Sequence, residues 1–456
     1  VNIFHSSETI DYKRILNLSW PIILANLTIP LIGATNIAVV GRMPSPIHIG
    51  AVALGATVLQ CIDWSLSFLR RGTTGITAQA YGAGDTSAVF AALVRSLLIA
   101  LVLGFLVTIL QQPISWIAFQ IIDGSPEVEK LAEEYFSIRI WASMATMSNY
   151  VLLGWFYGIQ KPKIALVLRI LMNILNIPLA IFLAINLKMG VAGVAWSAFF
   201  SHIFVFVMGL IVTIYISYTS LKKSDNSFDL GFLVPLKDLD KLFKVFKLNG
   251  DIFLRTALVF VAFSWFTASG ARQGDIMLAV NSVLLNLFWF ISYALDGFAN
   301  SAEALAGQAL GANNLKMFDT AVRKTLVMAI IFSLIIVLIY ALSGSYLVGF
   351  MTTLPAVKLE ASKFFPWLIV MPVAGVWCFL LDGIYTGVTE TKIMRDMMII
   401  TFIIYSGLML FLPGLLGNHG LWLALVLFML VRGITLAIPF QKIRSSCFKL
   451  NHQLEY

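Results

Sequence analysis

Long apolar stretches alternate with short polar breaks along the whole chain. Twelve of them reach the ~20 mostly apolar residues that a helix needs to cross a bilayer. Their cores lie at 14–40, 48–80, 88–113, 131–158, 163–187, 191–218, 242–268, 276–307, 318–348, 357–387, 394–415 and 418–440. Several exceed the thickness of a bilayer, so those helices are expected to tilt, bend or protrude into water. The longest polar break, 219–241, carries Lys222, Lys223, Asp225, Asp229, Lys237, Asp238, Asp240 and Lys241 and falls at the middle of the chain. It predicts an N-terminal lobe at 1–218 with spans one to six, a cytoplasmic linker at 219–241, a C-terminal lobe at 242–441 with spans seven to twelve, and a cytoplasmic tail at 442–456.

The two halves repeat. At an offset of 229 residues, Gln79-Ala80-Tyr81-Gly82-Ala83 falls on Gln308-Ala309-Leu310-Gly311-Ala312. Ala92, Leu97 and Ala100 fall on Ala321, Leu326 and Ala329 in the same register. Further along, Gly154, Phe156 and Gly158 fall on Gly383, Tyr385 and Gly387, and Lys163-Ile164 falls on Lys392-Ile393. Six spans is an even number, so both halves enter the membrane in the same direction. That makes them parallel repeats about an axis along the membrane normal, an arrangement that secondary transporters use. The expected fold is an all-α polytopic membrane protein with twelve transmembrane helices in two parallel six-helix repeats.

Composition narrows the class. The 456 residues are 59% hydrophobic and 12% charged, against about 45–50% and about 25% in soluble domains, and the mean hydropathy is +0.89. A soluble enzyme, a disordered protein and a nucleic-acid-binding module are excluded, because so much apolar surface cannot be hidden in water. The net charge of +8 resides in short segments between spans rather than on one water-facing stripe. Alternate loops carry it: Lys161 and Lys163, the 219–241 break, then Lys316, Arg323 and Lys324, and Lys392 and Arg395, with Lys13 and Arg14 before the first span and Lys442, Arg444 and Lys449 after the last. The opposite loop at 123–134 is acidic. The cation bias puts both termini on the cytoplasmic side, in the cytoplasmic (inner) membrane of a bacterium or archaeon.

No reactive constellation emerges. Cys61, Cys378 and Cys447 are an odd, scattered set that fits neither a disulfide framework nor a zinc site. His5, His48, His202, His419 and His452 are dispersed. There is no phosphate-binding loop, no nucleophile elbow and no paired acidic motif for magnesium. Catalytic residues, metal and cofactor are therefore expected to be absent, and the protein is read as a non-enzyme. The N-terminus, beginning at Val1, has no basic region of a signal peptide and no initiating Met, and is read as a shortened form.

An ionisable or strongly polar residue inside a span is a functional candidate. The first span holds Asn26 and Asn36 together with Pro21 and Pro30, which supply bend points. The second holds Asp63, Arg70 and Arg71. Asn149 and Tyr150 in the fourth span and Asn173 and Asn176, i,i+3 on the fifth, would line a mildly polar N-lobe pocket. The second half is richer. Asp251 and Arg255 are spaced for an i,i+4 bridge, Asp296 and Glu303 lie two turns apart on one face, and Asp382 lies near the end of the tenth span. Structural pairing and a role in coupling or substrate binding are both open for this C-lobe set.

These residues carry a family resemblance. Arg70-Arg71-Gly72-Thr73-Thr74-Gly75 followed by Ala78-Gln79-Ala80-Tyr81-Gly82-Ala83 resembles the second-helix signature of the multidrug and toxic compound extrusion (MATE) family, in its DinF-type branch. Asn249-Gly250-Asp251-Ile252-Phe253-Leu254-Arg255-Thr256 is similar to the branch's seventh-helix motif. Leu295-Asp296-Gly297-Phe298-Ala299 through Glu303-Ala304-Leu305, and Leu381-Asp382-Gly383-Ile384 with Gly387, resemble its eighth and tenth. The resemblance spans nearly the whole chain. It implies a two-lobe secondary antiporter that exports drugs or toxic organic cations across the lipid bilayer in exchange for protons, with sodium as the alternative, as a monomer and without nucleic acid.

Two departures from the family pattern stand out. The branch usually carries a membrane-embedded Asp on its first helix. The matching position here is Asn36, in Thr35-Asn36-Ile37-Ala38-Val39-Val40-Gly41. An amide neither titrates near neutral pH nor attracts a cation by charge. Either coupling resides elsewhere or the chain is an engineered Asp→Asn form. Relatives also place a second Asp where this chain has Ala180, which weakens a sodium site and favours a single-carboxylate proton mechanism. In that mechanism Asn173 and Asn176 hold the side chain at position 36, and its protonation lets the first helix bend near Pro21. With Asn36 in place the chain is expected to be weakly active or inactive. A lipid-linked saccharide or lipid flippase of the same superfamily is the nearest rival. An integral membrane prenyl transferase is a distant one, without its acidic motifs.

Overall fold

The computed structural model describes residues 10–43, 47–121, 125–221, 239–352 and 354–449. The first predicted span is two helices, α1 (Tyr12–Leu27) and α2 (Ile29–Val40). α1 runs through Pro21 and stops before Thr28, whose N–H still reaches the Leu24 carbonyl at 3.2 Å. Pro30 has no N–H to continue the ladder and disfavours a helical residue before it. As the second residue of α2 it sits where the missing donor has no intrahelical partner anyway. The second span is α3 (Ile47–Leu66) and α4 (Phe68–Gly82), joined at Ser67. The third is α5 (Thr86–Ile109), extended by α6 (Gln111–Ile121). The fourth is interrupted as well. α7 (Pro126–Arg139) passes through a 3-10 turn, Ile140–Ala142, into α8 (Ser143–Gly158). α9 (Pro162–Ile181) ends in a widened turn, Phe182–Asn186, four residues after Pro178, and α10 (Gly190–Leu221) follows.

The second half is built of longer uninterrupted helices: α11 (Leu239–Ala271), α12 (Asp275–Gly311), α13 (Leu315–Met351), α14 (Pro355–Gly387), α15 (Thr391–Leu416), α16 (Asn418–Ala437) and α17 (Phe440–Lys449). Among the described residues no strand occurs, and ten helices are long and apolar enough to cross a membrane. The first and fourth predicted spans, the pairs α1/α2 and α7/α8, are not among those ten. Most of the predicted linker at 219–241 lies outside the described residues.

The described helices gather into two compact units. One contains 24–77, 85–221 and 239–245, and the other 10–23, 78–84 and 246–449. The start of α1 and the end of α4 thus pack with second-half helices. Arg14 donates to Gln308 Oε1 at 2.9 Å and the Ser19 and Ser301 hydroxyls meet at 2.9 Å. In the first unit a core forms around Val40, Ala51, Tyr135, Phe136, Ala180 and Val194. In the second it forms around Phe266, Phe288, Phe298, Leu368, Trp422 and Phe428.

The repeat seen in the sequence is repeated in the backbone. Three pairs of positions 229 residues apart share a positive φ: Gly84 (70°) with Asn313 (49°), Gln160 (57°) with Thr389 (60°), and Lys188 (56°) with Gly417 (56°). Each member closes a helix C-terminus or the turn after it, where a positive φ frees N–H groups to meet the last carbonyls. The following helix starts match too. Asp85 caps α5 by accepting from Ala88 N at 2.8 Å, and Asn314 caps α13 by accepting from Met317 N at 2.9 Å.

Four glycines explain why the repeat keeps those residues. Any side chain at Gly154 would strike the carbonyl of Arg70, and one at Gly383 would strike that of Ala299. Gly158 and Gly387 sit one turn on, under the carbonyls of Thr74 and Glu303. Each half therefore brings the fourth span of its repeat against the second at backbone distance, through a small-xxx-small stripe of the kind that packs membrane helices.

Candidate functional site

In the first unit the buried polar side chains come from α2 and from α4 to α10, with Asp63 of α3 half-buried. Asn36 on α2 is 5% exposed. Its amide faces the Tyr135 hydroxyl on α7, while its Oδ1 has no partner among the described residues. Asn173 and Asn176 on α9 are also buried. Asn173 Nδ2 donates to the Arg169 carbonyl at 3.2 Å and Asn176 Nδ2 to Ser197 Oγ at 3.3 Å. Both of their Oδ1 atoms lack partners among the described residues, and neither side chain hydrogen-bonds Asn36. The two candidates on α8 lie elsewhere. Asn149 and Tyr150 line a cavity of about 30 Å³ with Thr146, Arg169, His202 and apolar residues of α8, α9 and α10. The four residues expected to form one N-lobe pocket are thus divided between this cavity and the α2–α9 contact.

A cluster centred on His202 supports the cavity. Arg139 Nη2 lies 2.7 Å from His202 Nε2, Thr146 Oγ1 lies 3.0 Å from His202 Nδ1, and Asn149 Nδ2 donates to the His202 carbonyl at 3.0 Å. Arg has only donors, so Nε2 accepts and the neutral ring carries its proton on Nδ1. The charges of Arg139 and Arg169 also reach Asp63, half-buried on α3. Sequence reading noted Asp63 but missed Arg139, Arg169 and His202. An arginine inside an apolar window is the signal that would have found the first two.

The second unit uses its charges differently. The Asp251–Arg255 bridge expected from their spacing does not form, and this corrects the sequence reading. Asp251 instead accepts from Arg395 Nη1 at 2.6 Å and from Thr391 Oγ1 at 3.3 Å. Arg255, one turn further along α11, donates to Asp382 on α14, which Arg432 on α16 also meets. Helical spacing shows which residues share a face, but a shared face that packs on α14, α15 and α16 offers closer partners on those helices. Arg432 stacks over the Phe379 ring at 5.8 Å. The charges of Asp382, Arg255 and half-buried Asp296 all reach Cys378. Glu303 is fully buried on α12, with its carbonyl under Gly387. Arg395 and Arg432 were not among the sequence candidates. No cluster of three or more His, Cys, Asp or Glu that could hold a metal occurs among the described residues.

Two repeats of one helical plan, with polar side chains buried inside their spans, define a multi-pass membrane protein of the two-repeat type that secondary transporters use. Comparison with known proteins gives the family. The MatE family model matches the chain twice, over residues 21–182 and 252–412, once in each half. The chain belongs to this family, the multidrug and toxic compound extrusion transporters. It is 38% identical to DNA damage-inducible protein F of Escherichia coli (strain K12), over 94% of this chain and 92% of that protein. It is 22% identical to the multidrug export protein MepA of Staphylococcus haemolyticus, over 79% of this chain and 78% of that one. Among solved structures, the crystal structure of MATE in the bent conformation shares the fold with a TM-score of 0.84 at 20% identity, over 97% of this chain and 99% of that chain.

Proposed function

We propose that this chain is a form, impaired at position 36, of a secondary active multidrug antiporter that exports amphipathic, often cationic, organic compounds in exchange for protons by alternating access, and that it has no enzymatic activity. The relative named as a multidrug export protein supports the substrate class. The observation that carries the coupling is the buried amide of Asn36 beside Tyr135, at the position where the resemblance implies a titrating carboxylate. A carboxylate there would lie in a low-dielectric site and bind its proton more tightly than in water. Asparagine holds the site in its neutral form permanently, so position 36 no longer titrates. The break at Thr28 lies two turns before Asn36 and is where the first span would flex. Both termini face the cytoplasm of an inner membrane in this reading, and the transporter acts as a monomer.

Sodium coupling is the second reading. Its support is the set of three buried amide oxygens, Asn36 Oδ1, Asn173 Oδ1 and Asn176 Oδ1, which have no donor among the described residues and would suit a hard cation.

The test is efflux of a fluorescent organic cation from cells that express either this chain or Asn36→Asp, with and without a protonophore. Extrusion by the Asp variant alone, stopped by the protonophore, is the expected result. Extrusion that needs sodium and survives the protonophore supports the second reading. Equal, protonophore-sensitive extrusion by both proteins overturns the role of position 36 and sends coupling to Asp63, Asp251, Asp296, Glu303 or Asp382.

A further inference from the structure

The cavity between α8, α9 and α10 offers a donor-rich polar wall. Arg139 fixes the tautomer of His202, whose Nδ1–H therefore donates to Thr146 Oγ1 at 3.0 Å. That leaves the hydroxyl hydrogen of Thr146 free to donate elsewhere. Asn149 spends one of its two amide hydrogens on the His202 carbonyl at 3.0 Å and keeps the other. Tyr150 adds a phenol and Arg169 a guanidinium with five donors. The guanidinium of Arg169 makes no hydrogen bond or ion pair to any described residue, although it is half-buried inside a span. An arginine at that depth is costly unless something neutralises it, and the one acidic group shown to feel its charge, Asp63, is shared with Arg139.

Three of the four charged groups around the cavity are arginines. The ionised groups whose charges reach Tyr150 are Asp63, with the largest effect, and then Arg169, Arg139 and Arg70. The rest of the lining is apolar: Leu152, Leu153, Leu168, Met172 and Val205. A space of about 30 Å³ holds a water or two, so it fits one small group and neither a whole drug nor a diphosphate.

We propose that this cavity is an anion site that takes a single monoanionic group of carboxylate size, with Arg169 as its counter-ion and Thr146, Asn149 and Tyr150 as its hydrogen-bond donors. Two sources share that chemistry: a free small anion, and the acid head of an amphipathic organic anion whose apolar body stays outside the cavity. The second source deepens the transporter reading above by adding organic acids to its substrates. The first is independent of it.

The test is equilibrium binding to the purified full chain in lipid nanodiscs at neutral pH, with acetate, 1-naphthoate and the cation 1-naphthylmethylammonium as probes. Competition against radiolabelled 1-naphthoate or acetate reads the affinities. Arg169→Gln is expected to weaken anion binding about tenfold or more, the loss of a charge-assisted hydrogen bond. Arg169→Lys should recover part of it. Tyr150→Phe, which keeps the ring and the packing, should weaken it several-fold, and Asp63→Asn should strengthen it by removing the one opposing charge. A merely structural role for these residues would not give opposite signs at Asp63 and Tyr150. Binding of acetate without 1-naphthoate supports the site with a free anion as its ligand. Binding of both supports the organic-acid source. Absence of anion binding, preference for the ammonium probe, or affinity unchanged in both Arg169→Gln and Tyr150→Phe overturns the proposal. Because binding is read without transport, failure of the antiport reading leaves this result standing, and the reverse also holds.

Discussion

The two units share a backbone plan and differ in where they put charge. Gly154 and Gly158 in the first match Gly383 and Gly387 in the second, and both pairs press against helix carbonyls. The positive-φ turn residues and the Asp85 and Asn314 caps match as well. The buried polar and ionisable side chains do not. The positions equivalent to Asp382 and Arg432 are Leu153 and Ile203, and those equivalent to Asn36, Arg139 and His202 are Trp265, Leu368 and Val431. Close backbone approach tolerates no side chain, so both halves retain it. Buried charge is costly in either half and is placed only where each half has a use for it. The second unit pairs most of its buried charges internally, with Asp382 between Arg255 and Arg432 and Asp251 on Arg395. The first leaves Arg169, Asp63 and the amide oxygens of Asn36, Asn173 and Asn176 without hydrogen-bond partners among the described residues. That contrast supports the two proposals above, in which the second set stabilises the fold and the first handles ligand or ion.

The sharpest way to break the contrast is at Asp382. Asp382→Ala leaves two buried arginines with no shared counter-ion, which costs about 3–5 kcal/mol. Thermal unfolding in detergent, followed by size exclusion, should show little folded protein. Replacing all three members, as Arg255→Met, Asp382→Leu and Arg432→Met together, should restore a folded chain, because no uncompensated charge remains. A triple variant that unfolds like the single one would contradict a purely structural triad.

The shared plan is tested next. Gly154→Ala and Gly383→Ala each push a methyl into a backbone carbonyl, a strain of about 1–3 kcal/mol. Both should lower the melting temperature by similar amounts. A large drop in one and none in the other would break the equivalence of the halves.

A smaller loss is expected within the second unit's polar network. Asn281 and Asn418 exchange hydrogen bonds at 2.7 and 3.0 Å, and Trp422 Nε1 donates to Asn281 Oδ1 at 2.9 Å. Asn281→Leu should cost about 1–3 kcal/mol by stranding the Trp422 and Asn418 groups, read in the same melting assay. The smallest effect is expected at Arg444, which pairs with Asp319 at 2.5 and 2.6 Å in a partly exposed position. Arg444→Gln should cost under about 1 kcal/mol, and the loss should shrink further in high salt.

How much of this was legible in the sequence follows from the length scale of each feature. Spans and repeats were legible because a ~20-residue apolar window and a Gly-Gln-Lys register are properties of one dimension. The breaks at Thr28 and at Ile140–Ala142 were not placed, since an apolar window reads the same through a kink as through a straight helix. Pro30 marked the first break within two residues, while Pro21 sits in a helix that continues through it. The charge partners were the least legible. Asp251 and Arg255 invited pairing by spacing, yet each has a partner more than a hundred residues away. The cavity at Arg169 needs three helices to converge, and none of its donors is unusual alone.

The measurement that tests the comparison most directly is protonophore-sensitive dye efflux by two proteins that both carry Asn36→Asp, one of them also carrying the apolar replacement of Arg255, Asp382 and Arg432. The account predicts that the second protein, once shown to be folded, retains efflux, because its second-unit charges only hold the helices together. A folded second protein that no longer extrudes dye, beside a first that does, would place coupling in the second unit and contradict the division of roles drawn here.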